Sequence, residues 1–84
     1  MNDECIKVAK KMVGERLNDF PTSVIFQSID AQLDYLQKVA DGSNNDRSQL
    51  KLITLGLYAV REFESTDQDF ANELFKIQHV VDNM

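Results

Sequence analysis

The residues of this 84-residue chain that could take part in a reaction are few and scattered. Asp30 and Asp34 lie one helical turn apart and could form a pair of carboxylates for general acid and base catalysis. The only histidine, His79, lies far from them in sequence, and a single cysteine, Cys5, excludes an internal disulfide and a cysteine-rich metal site. We expect the aspartates to form a solvated or partner-facing surface, His79 to be exposed or half-buried, and Cys5 to face the core.

Known enzyme motifs are also missing from the sequence. It contains no glycine-rich phosphate loop, no nucleophile elbow and no pair of histidines at metal-ligand spacing. The sequence therefore predicts a binding protein and not an enzyme, with no cofactor and no metal ion.

Composition limits the class of partner and the compartment. A net charge of −5 argues against nucleic-acid binding, which depends on Lys and Arg to displace counterions from phosphates. No apolar run approaches the roughly 20 residues that span a membrane, and Asp3 and Glu4 stand where a signal peptide would be basic. The sequence predicts one globular, cytoplasmic domain over residues 1–84.

Helical periodicity and turn residues divide the chain into four elements. Apolar residues recur every three or four positions, which is typical of amphipathic helices, and the connections between these stretches are short and polar. We therefore expect an all-α fold, a small antiparallel bundle of four helices. The expected helices begin after Asn2 or Asp3 and end near residue 18, then cover residues 22–41, 47–64 and 67–81.

The third of these helices is the most apolar part of the chain. Residues 50–63 are apolar on nearly every side of a helix, which predicts a buried central helix covered by the other three. Gly56 within it predicts a close helix crossing, and the helix-weakening Gly14 in the first helix would be tolerated if a neighbouring helix approaches closely there. Phe20 is expected under the bundle, and Thr66 with Asp69 matches a capping box. A filled interior would leave function to the outer surface.

Two polar surfaces are candidates for binding a partner. On the second helix, Asp30 and Asp34 lie near Tyr35, and tyrosine is an efficient interface anchor because it brings large area at low entropy cost. Tyr35 could equally cover the edge of the bundle. The second surface surrounds the end of the third helix and the following turn, and it comprises Arg61, Glu62, Glu64 and Asp67. Asp67 could equally serve as a helix-capping residue, and Arg61 could pair with neighbouring carboxylates.

A series of residues keeps a recognisable order and spacing along the chain. It comprises Arg16-Leu17, Pro21, Gln32-Leu33, Tyr35-Leu36, Asp46-Arg47-Ser48, Leu50, Leu52 or Ile53, Thr54-Leu55-Gly56, Ala59-Val60-Arg61-Glu62-Phe63 and Thr66-Asp67. This pattern resembles the immunity proteins that block type VI secretion NAD(P)-glycohydrolase toxins. The resemblance covers roughly residues 15–75 and is most specific from Thr54 to Asp67.

The resemblance implies an all-helical cytoplasmic antitoxin that covers the active-site cleft of a secreted toxin domain. Tyr35, Arg61, Glu62 and Asp67 match the family pattern and are candidate toxin contacts. Asp30, Asp34 and Glu64 are further candidates, because an acidic surface speeds the capture of a basic cleft. Related immunity proteins act against toxins that pyrophosphorylate adenosine nucleotides, or against contact-dependent inhibition toxins, so the reaction of the partner stays open.

Two other classes of function stay open from the residues alone. One is a non-catalytic helical adaptor that dimerises through its apolar seams; a homo-oligomer is possible but is not predicted. The other is a small enzyme that uses Asp30 and Asp34.

Overall fold

A computed structural model describes residues 4–43 and 48–83. The expected caps at Asn2, Asp3 and Asp46 lie outside these residues. Across the described ranges the chain is all-α with four helical segments and no strand, which confirms the predicted fold class. No described helix is both long and apolar enough to cross a bilayer.

The first two helices form a hairpin around the only proline. Helix α1 (Glu4–Asp19) buries Ile6, Ala9 and Val13, and it ends just before Pro21, which restricts the backbone of the preceding residue. Helix α2 (Val24–Asp41) begins where the Ser23 hydroxyl accepts a hydrogen bond from the Phe26 backbone N–H at 3.2 Å. It ends at Gly42, whose left-handed φ of 84° suits glycine.

The last helix, α4 (Gln68–Asp82), packs against α1 and closes the core. Its apolar residues Phe70, Leu74, Ile77 and Val81, spaced three or four positions apart, are buried. The Phe70 ring meets Phe63 edge to face, and Phe63 stacks on Phe26, with ring centroids 5.1 and 5.6 Å apart. Residues from all four segments therefore meet in one apolar cluster, and Cys5 packs against it as expected.

The third segment differs most from the prediction. A single helix over residues 47–64 is wrong: a 3₁₀ turn (Leu50–Leu52) is followed by an extended Ile53, and only then by helix α3 (Leu55–Tyr58). The chain continues as a π-helical turn (Ala59–Phe63). The burial expected on every side is also wrong, because this segment packs against α4 and α2 by one side and leaves the other exposed.

Three smaller expectations are corrected. A Cβ added at Gly14 would meet nothing within 4 Å, so no neighbouring helix approaches there. Phe20 is 60% exposed, although its ring stacks on Phe26. The capping box is absent: α4 begins after Asp67, and the Thr66 hydroxyl donates instead to the Glu62 carbonyl oxygen.

The close approach predicted at Gly56 is confirmed. A Cβ there would lie 2.9 Å from Cγ of Gln78 on α4, which is closer than real side chains come. The Gly56 backbone N–H donates to Oε1 of the same glutamine at 3.0 Å. The missing side chain at Gly56 therefore lets α3 lie close to α4. Gln78 in turn accepts a hydrogen bond from a backbone N–H in the first turn of α3, which has no partner within the helix.

Candidate functional site

The break before α3 is held by one side chain of α2. The Thr54 backbone N–H donates to Oε1 of Gln32 at 2.9 Å, and Nε2 of Gln32 donates to the Thr54 hydroxyl at 3.1 Å. The neighbouring Tyr58 hydroxyl donates to the Ser28 hydroxyl at 3.2 Å. These bonds fix the start of α3 against α2 and form a polar ladder between the two elements.

Two shallow grooves lie on either side of this polar ladder, with volumes of about 290 and 210 Å³. Both fall below the roughly 300–1,000 Å³ typical of small-molecule sites, so they suit the side chains of a protein partner. We call the surface that contains them the groove face. It comprises Ile25, Ser28, Gln32 and Tyr35 of α2 together with Leu52, Thr54, Leu57, Tyr58, Arg61 and Glu62 of the third segment.

Apolar side chains are unusually exposed at the groove face. Leu52 is 65% exposed and Leu57 is 49% exposed, and Val60, one turn beyond Leu57, is 55% exposed. A contiguous exposed apolar patch on a small protein marks an interaction surface. The sequence prediction missed these residues because it assigned all of them to the core.

The structure brings three of the predicted contact residues to this face. Tyr35 lines one groove, and Arg61 and Glu62 line the other. Glu64 lies two positions after Glu62 and is also exposed. Arg61, Glu62 and Glu64 form no salt bridge with any described residue, so their charges are available to a partner.

Asp30 and Asp34 lie on another side of α2. At about 100° per residue, Asp30 projects about 160° away from both Ser28 and Gln32 around the helix axis, and Asp34 projects about 160° from Gln32 and about 120° from Ser28. Nζ of Lys10, on α1, lies 3.7 Å from Asp30 and 3.4 Å from Asp34, and Lys38 contacts Asp34 at 3.2 Å. The hydrogen bond from Lys38, with the charge of Lys10, holds the pKa of Asp34 below its usual value. The expected grouping of these aspartates with Tyr35 is therefore not observed.

Asp67 is engaged in a bidentate ion pair across the bundle. Nε and Nη2 of Arg16, on α1, donate to its two carboxylate oxygens at 2.7 and 3.0 Å, and the guanidinium lies 4.6 Å from the centre of the Phe70 ring. The Arg16 hydrogen bond lowers the pKa of the Asp67 carboxyl against the opposing effect of partial burial, and Asp67 in turn raises the pKa of Arg16. These contacts tie α1 to the start of α4, so they give Asp67 a structural role.

Nothing in the described ranges resembles a metal centre. No three His, Cys, Asp or Glu side chains there converge as metal ligands would, and His79 is exposed. The groove face offers no paired acid and base either. Its chemistry is that of a protein interface: exposed apolar residues, one tyrosine, and charges of both signs at the rim.

Comparison with known proteins agrees with this description. The model of the Tsi6 family matches residues 2–83. The chain belongs to the Tsi6 family. It is 37% identical over 71 residues to the immune protein Tsi6 of Pseudomonas aeruginosa, an alignment that covers 84% of this chain and 76% of that protein. The chain is therefore a member of a family of immune proteins.

Solved structures show the same fold in Tsi6. The structure of Tsi6 from Pseudomonas aeruginosa superimposes with a TM-score of 0.87 at 35% identity, over 93% of this chain and 81% of that one. A structure of Tse6 in complex with Tsi6 gives a TM-score of 0.88 at 35% identity, over 93% of this chain and 83% of that one. The chain therefore shares the Tsi6 fold over 93% of its length.

One sequence signal could have revealed the groove face. Ile53 and Thr54 are consecutive β-branched residues within an otherwise helical run, and such residues lose side-chain freedom in a helix. If the helix is interrupted at these residues, Leu52 and Leu57 no longer belong to one continuous helix. The expectation that both are buried in the same core then no longer follows.

Proposed function

We propose that this chain is an immunity protein that binds the toxin domain of a secreted effector related to Tse6 and thereby neutralises it. The observation that carries the proposal is the match to Tsi6 along nearly the whole chain, together with a solved complex of that relative with Tse6. The proposal assigns the single domain expected over residues 1–84 to toxin binding in the cytoplasm of the producing cell.

We further propose that the toxin is an NAD(P)⁺ glycohydrolase delivered by type VI secretion, and that the immunity protein occludes its active-site cleft. The resemblance noted in the sequence supports this reaction. Occlusion is physically suitable because a toxin with rapid turnover must be held almost completely, which calls for nanomolar or tighter binding, about −12 kcal/mol. A rigid helical bundle loses little conformational entropy on association. In this proposal the chain acts by binding and performs no catalysis.

The test is co-expression with the protein encoded immediately upstream of this gene. We expect the two proteins to co-purify, the toxin alone to deplete cellular NAD(P)⁺, and co-expression to prevent the depletion. Capture of a toxin that instead pyrophosphorylates adenosine nucleotides would keep the immunity role and overturn the proposed reaction. Failure to capture or neutralise the encoded protein would overturn the immunity role itself. Consumption of NAD(P)⁺ by the purified chain alone would contradict action by binding.

A further inference from the structure

The groove face concentrates the exposed apolar surface of the described residues. Six large apolar side chains are exposed among the described residues, and Leu52, Leu57 and Val60 of the third segment make up half of them. The other three are Val8 of α1, Phe20 in the turn that follows it, and Val24 at the start of α2. Because a cluster of exposed apolar side chains marks an interaction site, the third segment is the part of the surface that a partner would protect from water.

Charge distinguishes this face from the acidic face of α2. Asp30 and Asp34 already face Lys10 and Lys38 within the same molecule. A partner that pairs with either aspartate must first displace a lysine. Glu62 and Glu64 face no such base among the described residues, so they can meet an incoming positive charge without that loss.

The cleft of the proposed toxin supplies the complementary charge. An enzyme that binds a dinucleotide must hold its phosphates with basic side chains or backbone N–H groups. A lysine or arginine from such a cleft carries a long apolar stem and a charged end. Ile25 and Leu57 give the groove apolar walls, and Glu62 gives it a carboxylate that can pair with such a charged end. Arg61 also lines this groove, so the basic group must enter on the Glu62 side.

We infer that the groove face is the surface that binds the toxin, with Leu57 as an apolar anchor and Glu62 paired with a basic group of the toxin's phosphate-binding cleft. This inference rests on the proposed function. A standard interface needs about 800 Å² from each partner. That is roughly a sixth of the total accessible surface of 5159 Å².

The experiment compares binding variants on the two faces against the toxin domain encoded beside this gene, with that toxin inactivated so that it can be purified. Leu57→Arg and Leu57→Ala test the anchor, and Glu62→Lys tests the charge. Val8→Arg is the matched control for Leu57→Arg, because Val8 is 41% exposed on α1 and does not line the groove face. The double variant Asp30→Lys plus Asp34→Lys tests the rival face.

We expect Leu57→Arg to raise Kd by at least about 30-fold, the threshold of an interface hot spot. Glu62→Lys should raise Kd by about 10-fold or more, mainly by slowing association and with less effect at high salt. Val8→Arg should change Kd by less than about threefold, as expected for a substitution outside the interface. Circular dichroism and melting temperature identify any variant that has lost its fold, and Leu57→Ala then provides a milder version of the same test.

The outcomes separate the inference from the proposed function. If wild type captures the toxin but folded groove-face variants bind equally well, the assignment of this face is wrong while the immunity role stands. Loss of binding only in the Asp30 and Asp34 double variant would assign the rival face. Dissociation of a dimer of the free chain by Leu57→Arg, with toxin binding intact, would show that a second copy covers the groove face. If wild type captures nothing, the proposed function itself fails.

Discussion

Replacement of Arg16 by methionine should destabilise the fold by about 2 kcal/mol. The guanidinium makes two charge-assisted hydrogen bonds to Asp67, at 2.7 and 3.0 Å, and the two side chains are only 23% and 28% exposed. Fully exposed ion pairs contribute about 0.2–1 kcal/mol, whereas breaking a buried pair costs about 3–5 kcal/mol. This half-buried pair belongs between those limits. Methionine keeps an apolar side chain against Phe70. The loss of stability therefore measures mainly the loss of the positive charge and its hydrogen bonds to Asp67.

The assay is unfolding by urea and by heat, followed by circular dichroism. For a domain of this size, about 1 kcal/mol shifts the melting temperature by roughly 4–8 °C. We therefore expect a decrease of roughly 8–16 °C for Arg16→Met. Lys76→Met is the matched control, because its ion pair with Glu73 lies within one helix and the lysine is 63% exposed. It should cost less than about 0.5 kcal/mol. Equal losses in the two variants would refute a stabilising role for the Arg16–Asp67 pair.

The pH dependence of the same pair has a definite sign. Arg16 lowers the pKa of Asp67 in the folded state below its ordinary value of 3.8. The folded state therefore holds its proton less tightly than the unfolded state, and the pair contributes its full stability above pH 3.8. That contribution is lost as the pH falls through the lower pKa of the folded state. We expect the stability difference between wild type and Arg16→Met to shrink below about pH 4. A difference that stays constant down to pH 2 would contradict the pKa assignment.

The remaining predictions concern glycines and the polar ladder. Gly14→Ala should stabilise the protein by about 0.5–1 kcal/mol in urea unfolding, because the site is helical and open, and a loss would show a contact there. Gly56→Leu should cost about 1–3 kcal/mol or more, since even its Cβ would collide with Gln78; an unchanged midpoint would exclude the close approach. Gln32→Leu should cost about 1–2 kcal/mol and speed amide hydrogen exchange at the start of α3, because it removes both bonds to Thr54. Unchanged protection of the Thr54 amide would show that Gln32 does not hold it.

Three of the four helices could be predicted from the sequence for a simple physical reason. In α1, α2 and α4 the apolar residues occupy one stripe and polar residues the rest, so periodicity alone says which side is buried. Their starts and ends carry local signals, such as Ser23 and Gly42, that do not depend on the rest of the fold. The third segment lacks this contrast. When apolar residues occur on every side of a helix, the sequence does not show which side packs against the rest of the protein.

The candidate site was predicted only in part, because the fold decides which charged side chains form ion pairs with each other. Arg61, Glu62 and Tyr35 do share one face. Asp67, by contrast, pairs with Arg16, 51 positions earlier in the sequence. A long-range pair of this kind leaves no periodic signal. The sequence shows where charge is, but the structure decides which charges are already neutralised.

The separation of stability from binding follows from where these contacts lie. The Arg16–Asp67 pair joins α1 to α4, while the groove face is formed by α2 and the third segment. The hydrogen bonds from Gln32 and Tyr58 hold the groove walls in place within the free chain, so little ordering remains for the partner to impose. Apolar side chains such as Leu57 can then stay exposed without loosening the core, because the buried sides of all four helical segments already fill it. Residues of the groove face can therefore change while the fold persists.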